Sequence, residues 1–452
     1  MRASGAPAGL ERRVGRIGGA VPSDVDVRRP GSVVDVSPAV TRRGSATTAP
    51  PPRRVDVLPL TLTRDGRLAN DVQLERLAKA AGSATDCFLF CHGWLYDETE
   101  ARQEAGRFFA LLDGVLAPLG QRIVPLRVGL HWPSKPFADS ALTRETGAAG
   151  LWPELERRSV KGSRGRGSHA NVAVLRDLCA AEIPRSPEEE AELDALALRL
   201  ARAERERGAL PVSPFHALSF WVMKRRAGEV GERFGRECVA PVWRSLSRAP
   251  RLHLVGHSFG AKLVASTVLG GARPESVTLL LAAFSAFAFA PEIPGFDRPG
   301  FYYRVLAERR VGGPIVVLRS DHDTALGTLY QAITGSGEVD RQGTDPRNLG
   351  QRPGRLGRTA AAVAASALGA VGARGVGAPE LDLVDVQQTG IPSYPIVNVD
   401  GSRVVKASDV LLGAHRDIFH REVAALVAMA AGLLVGGPEG ARPARVGPQG
   451  TP

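Results

Sequence analysis

Arg251-Leu252-His253-Leu254-Val255-Gly256-His257-Ser258-Phe259-Gly260-Ala261-Lys262-Leu263-Val264-Ala265 decides how the rest of the chain is read. A short apolar run reaches Gly256-His257-Ser258-Phe259-Gly260, a G-x-S-x-G pattern, and a helix-compatible stretch starts at Ala261. Glycines on both sides of the Ser suit a tight strand-to-helix turn, where side chains would clash. Such a turn thrusts the hydroxyl out at the carboxyl edge of a sheet. A five-residue pattern arises by chance in a chain with 51 glycines, so the flanking strand and helix carry the reading.

On either side of this stretch, similar short runs recur at Val55–Thr63, Asp86–Cys91, Arg122–His131, Ser276–Ala283 and Pro314–Arg319, with a last strand within Leu381–Val399. They alternate with longer helical patterns. This predicts an α/β fold in which a mostly parallel sheet is covered by helices, over residues 55–436. The fully apolar Phe88-Leu89-Phe90 suits a strand buried on both faces. Residues 135–240 interrupt the rhythm and read as a helical insertion, partly a lid. It holds a Gly/Ser/Arg loop (Lys161–Ser168), a helix opened by the capping pattern Ser186-Pro187-Glu188-Glu189, and a second helix over Phe215–Phe234. Residues 335–377 read as a Gly- and Arg-rich excursion with one short Ala-rich helix. Residues 1–54 and 437–452 lack a sustained apolar period and read as disordered tails.

The formal charge of +11 is concentrated. Residues 1–54 carry ten Arg against four acidic residues, so +6 sits in that segment. Without aromatic residues to stack on bases it reads as a solvated tail, and no specific nucleic-acid partner is expected. Cys87, Cys91, Cys179 and Cys238 form no CxxC pair or disulfide framework, and Cys87 and Cys91 read as buried thiols. The first residues do not resemble a secretory signal, and the longest apolar run near the C-terminus, Val423 to Val435, is too short to span a bilayer. A cytoplasmic protein with no transmembrane segment is expected.

Further residues fit chemistry at Ser258. Cys91-His92-Gly93-Trp94 follows an early apolar strand, and a His-Gly turn there can aim backbone N–H groups at a developing oxyanion. The expected donors are Trp94 or Gly93, together with Phe259. The run Pro314–Arg319 ends in Ser320-Asp321-His322-Asp323, where either Asp could orient a histidine. Asp323 is preferred because a turn needs a few residues before a side chain can point back over the sheet; Asp321 is the alternative. Gly413-Ala414-His415-Arg416-Asp417-Ile418-Phe419-His420 offers two bases. His415 lies in a loop and is preferred to His420, which opens the last helix. His415-Arg416-Asp417 also spells a kinase catalytic-loop triplet. The Asn required five residues after the Asp is Glu422, and no Gly-rich phosphate loop precedes it. No spacing typical of a metal site surrounds Asp321-His322-Asp323.

Taken in order, these four motifs resemble the alpha/beta-hydrolase superfamily, and Trp132-Pro133-Ser134 with Asp323-Thr324-Ala325-Leu326 resembles a bacterial subgroup of unassigned substrate. The resemblance implies a nucleophile elbow, an oxyanion hole and a Ser258–His415–Asp323 triad, hence a serine hydrolase of esterase type acting on a small-molecule acyl substrate without cofactor or metal. The alternative is a hydrolase-fold protein that binds or scaffolds without catalysis.

Overall fold

The computed structural model describes residues 56–134, 214–294, 298–330, 366–407, 412–436 and 442–443. The tail expected over 1–54, the loop Lys161–Ser168, the helix opened at Ser186 and Cys179 lie outside the described residues, as does most of 335–377.

Eight strands form one parallel sheet: β1 (Leu58–Thr61), β2 (Asp86–Cys91), β3 (Pro125–His131), β4 (Arg251–His257), β5 (Ser276–Leu280), β6 (Ile315–Arg319), β7 (Glu380–Asp382) and β8 (Ile396–Asp400), in the order β1-β3-β2-β4-β5-β6-β8-β7. Every residue of β2 and β5 is buried. Successive side chains point to opposite faces, so both faces of the sheet are covered. The segment expected to hold one last strand holds two, joined by a helix over Leu383–Thr389 that Asp382 caps by accepting from the Val384 and Asp385 N–H groups. Sequence pattern hid β7 because it is only three residues long and lies at the sheet edge.

The longer helices are α1 (Asp71–Ala81), α2 (Glu98–Leu116), α3 (Pro214–Phe234) and α4 (Phe259–Leu269), with α5 (Arg421–Ala430) closing the domain. Asp97 starts α2 through a reciprocal capping box with Glu100, in which the Glu100 N–H donates to Asp97 (2.9 Å) and the Asp97 N–H to Glu100 (2.8 Å). Ala101, Ala105, Phe108, Phe109, Leu112 and Leu116 then bury one face of α2 at helical spacing, against β3 and α5.

The part of the expected lid that is described, 214–240, is a wall of the core rather than a cover. Met223, Ala227, Val230 and Phe234 are fully buried along one face of α3, which packs along α4. Gly231 permits this: a Cβ there would overlap the Leu263 carbonyl of α4. The helix therefore belongs to the crossover from β3 to β4. At the end of the expected excursion, residues 366–373 also return to the core. The Leu368 N–H donates to the Phe284 carbonyl (2.7 Å) and the Gly369 N–H to the Ala282 carbonyl (3.0 Å). In the expected C-terminal tail, Arg442–Pro443 pairs antiparallel with Leu434–Val435. Cys87, Cys91 and Cys238 are buried free thiols. No helix among the described residues is long and apolar enough to cross a membrane.

Two ends of the sheet carry polar chemistry. At the amino ends of neighbouring strands, Asp86 of β2, His253 of β4 and Ser276 of β5 form a buried chain. His253 Nε2 lies 3.1 Å from Asp86 Oδ1, and His253 Nδ1 lies 2.9 Å from Ser276 Oγ. Asp86 also accepts from Thr85 Oγ1 (2.7 Å) and pairs with Arg251 (2.6 Å). Burial alone would raise the Asp86 carboxyl, but the hydrogen bonds from His253 and Thr85 and the Arg251 charge together hold it below the usual range. The carboxyl ends carry a second chain. Between β2 and β4 the chain's path reverses direction across the sheet, and a crevice at such a switch point is where open α/β sheets bind ligands.

Candidate active site

β4 ends at His257 and α4 begins at Phe259, which leaves Ser258 to make the turn, at φ 57° and ψ −119°. A residue with a Cβ holds a positive φ at a cost and needs its surroundings to enforce it. Here the Ser258 N–H donates to the Leu280 carbonyl (3.0 Å), and its carbonyl accepts from the N–H groups of Ala261 (3.2 Å) and Ala283 (3.3 Å). The flanking glycines are a steric necessity. A Cβ on Gly256 would overlap the Gly260 carbonyl, and one on Gly260 would overlap the carbonyls of Cys91 and His92 at the end of β2. The first turn of α4 thus sits directly on the turn that comes after β2.

Ser258 Oγ lies 2.9 Å from His415 Nε2, and His415 Nδ1 lies 2.7 Å from Asp323 Oδ2. A carboxylate only accepts, so Nδ1 carries the hydrogen and Nε2 is free to accept the Ser258 hydroxyl proton. Asp323 is buried and its second oxygen accepts from the Leu326 N–H (2.9 Å). Ser258 is 5% exposed and the His415 side chain 12%, so the site end of the chain is the open one. Backbone bonds stitch the base loop to the acid turn: the Ala414 N–H donates to the His322 carbonyl (2.8 Å), and the Ala325 N–H to the Leu412 carbonyl (3.3 Å).

The two alternatives point elsewhere. The Asp321 side chain is 69% exposed and pairs with Arg319 (2.7 Å), which also binds Glu380 and Asp400 (2.7 Å to the latter). His420 stands at the start of α5 with Nε2 2.8 Å from Asp417 Oδ1, and its side chain makes no capping hydrogen bond.

The turn after β2 is set by side chains that sequence reading left without a role. His92 Nδ1 faces the Gly93 carbonyl at 2.9 Å, so it donates, while Nε2 accepts from the Trp132 N–H (3.3 Å). Burial, and then the neighbouring His131, push His92 down to about 3, so the ring is neutral and both nitrogens are used. The Trp132 indole N–H donates back to the His92 carbonyl (3.0 Å). Ser134 Oγ donates to the Tyr96 carbonyl (2.9 Å) and accepts from the Tyr96 N–H (3.0 Å). With the Gly93 carbonyl held by His92, the planar trans peptide aims the Trp94 N–H the opposite way. Gly93 is close to the nucleophile, since a Cβ on it would lie 3.0 Å from Ser258 Cβ. Phe259, first residue of α4, has a backbone N–H with no acceptor within its helix, at the positive end of the helix dipole.

No family model, curated protein or solved structure matches this chain. The chemistry open to the arrangement is set by its own atoms. It offers a hydroxyl on an enforced turn, a base that can accept its proton, a buried carboxylate behind the base, and backbone donors on two adjacent turns. Trp94, Phe220, Phe259 and Tyr330 form an aromatic wall beside it, with ring centroids 5.0 Å apart for Phe220 and Phe259 and 5.6 Å for Phe220 and Tyr330. The sequence signal for the Trp132–Ser134 brace was a resemblance only; its partners lie 38 to 40 residues away, beyond any local pattern.

Proposed function

We propose that this chain is a serine hydrolase of alpha/beta-hydrolase type that cleaves an ester or related acyl bond through an acyl-enzyme intermediate. The observation that carries the reading is the continuous chain from Ser258 Oγ to His415 to Asp323, on a Ser held at positive φ. His415 Nε2 takes the Ser258 proton as Oγ attacks the acyl carbonyl, and Asp323 stabilises the imidazolium that forms. The carbonyl oxygen, now negative, accepts from the N–H groups of Phe259 and Trp94, with Gly93 as the alternative to Trp94. As the tetrahedral centre collapses, the bond to the leaving group breaks and His415 returns the proton to that group. Water then adds to the acyl-Ser258 bond through the same base, restoring the hydroxyl and releasing the acid. No cofactor enters these steps.

The substrate proposed is a small soluble ester. A fluorophosphonate probe is the direct test. The wild type should be labelled, and Ser258→Ala and His415→Ala should lose labelling and turnover of p-nitrophenyl esters by about 10⁴–10⁶-fold while keeping the wild-type circular dichroism spectrum. Equal labelling of wild type and Ser258→Ala would overturn the reading. An unlabelled wild type would leave the non-catalytic binding protein.

A further inference from the structure

His257 precedes the nucleophile in G-H-S-F-G, and a turn of this kind sets no requirement at that place. Its ring is nevertheless committed. His257 is 2% exposed, and Nε2 lies 2.7 Å from the backbone carbonyl oxygen of His415. A carbonyl only accepts, so Nε2 carries the hydrogen and donates it. Burial first, and the nearby His415 second, push the ring down to about 3, so it is neutral and Nδ1 is a bare lone pair. Nδ1 is buried without a hydrogen-bond partner, and it faces Gly93: a Cβ on Gly93 would lie 3.3 Å from it. The His257 and His415 rings are 5.1 Å apart at 41°. One side chain therefore touches the base loop and the turn after β2 while its own backbone leads into the nucleophile.

We propose that His257 is a positioning residue for His415. Asp323 holds the imidazole from behind through Nδ1, and the backbone bonds at Ala414 and Ala325 hold the loop to the acid turn, but none of these ties it to the strand that carries Ser258. The bond from His257 Nε2 fixes a second point, the base's own carbonyl, and ties it to the strand end that carries Ser258. Two fixed points set the distance from His415 Nε2 to Ser258 Oγ. An unpaired buried nitrogen at Nδ1 is unfavourable, which is the reverse of what packing alone would select at this position. An apolar ring of similar shape would avoid that penalty but would leave the His415 carbonyl without its donor.

The inference rests on the serine-hydrolase reading for its kinetic arm, and a spectroscopic arm stands apart from it. In the full chain, His257→Phe removes the donor and keeps a ring, whereas His257→Gln can bring an amide N–H to the place of Nε2. The downfield proton NMR resonance of His415 Nδ1–H against Asp323 should be present in wild type and His257→Gln and broadened or lost in His257→Phe. With a p-nitrophenyl ester, kcat of the Phe variant should fall about 10²-fold, the scale of a small misplacement of reacting groups, with KM within about twofold. The Gln variant should recover at least about tenfold of that loss. A Phe variant with the wild-type resonance and kcat overturns the proposal. So does an equal loss in the Phe and Gln variants. If the Phe variant does not fold, His257→Asn, whose amide stops short of the carbonyl, takes its place, and equal behaviour of Asn and Gln variants overturns the proposal. A wild type that is unlabelled by fluorophosphonate while the resonance still tracks the donor would refute the hydrolase reading and leave the positioning intact.

Discussion

The sheet carries a Ser-His-Asp chain at each end, and the two differ in everything except residue type. At the amino ends, Asp86, His253 and Ser276 sit on three adjacent strands, with His253 wholly buried. At the carboxyl ends, Ser258, His415 and Asp323 come from a turn, a loop and another turn. The rings are used in opposite senses: Nδ1 faces the Ser in the first and the Asp in the second. Ser276 begins an ordinary strand within the sheet, whereas Ser258 occupies a positive-φ turn that opens a helix. The amino-end chain is a staple in which each polar atom satisfies another. The carboxyl-end chain reverses the ring and adds exposure at His415 and backbone donors beside the hydroxyl. Hydrogen-bonded Ser, His and Asp are thus not by themselves a sign of chemistry; the turn geometry and neighbouring N–H groups make the distinction.

Three measurements test this contrast. The largest effect is expected at the carboxyl end: Asp323→Asn should lower kcat about 10⁴-fold, by favouring the wrong tautomer of His415. Asp321→Asn, altering an exposed partner of Arg319, should change it less than about twofold. Comparable losses in both would mean that the acid has been misassigned. At the amino end the outcome should invert. Asp86→Asn should cost about 2 kcal/mol in urea unfolding, since it weakens the buried bond from His253 while the partly exposed Arg251 stays solvated, with kcat of the folded protein within about twofold. A large kcat loss without a stability loss would show that the staple communicates with the site.

The last effect is a slope that accumulates over several pH units. His92 and His257, both pushed down to about 3, stay neutral in the folded chain below pH 6.5, where the unfolded chain takes up a proton at each. The unfolded state then binds more protons, so stability falls as pH drops from about 6.5 towards 3, by up to about 1.4 kcal/mol per pH unit for each ring. Urea midpoints between pH 7 and 4 would read it. A flat profile would mean that these rings are not held neutral.

Much of the architecture was legible because its signals are local. The elbow is a contiguous strand, turn and helix, and the apolar runs marked six strands of the sheet to within a few residues. Asp323 and Asp321 were separable only by how far a turn must run before it points back, and the structure brings Asp323, not Asp321, to His415. What escaped was built from distant backbone. The ring of His257 acts on a carbonyl 158 residues away, and His92 and Asp86 find partners 40 and 167 residues along the chain. Residue type states what such a side chain can bond, never which carbonyl will be there. Helix α3 was legible as a helix over Phe215–Phe234, but not what it packs on, for a related reason: an amphipathic helix has the same period whether it covers a site or a sheet. Its packing shows in Gly231, whose meaning depends on the Leu263 carbonyl opposite.

The enforced turn at Ser258 also sets an order of events during refolding. Its positive φ is held by Leu280 and Ala283 from the end of β5 and by contact with the carbonyls that end β2. Until β2, β4 and β5 have met, none of these restraints exists, and an isolated Ser258 would relax to negative φ. The base arrives from 157 residues downstream, the slow, high-separation kind of closure. Reactivity towards an acylating probe should therefore return after the far-ultraviolet signal of the sheet, and the lag between the two would time the last stage of assembly.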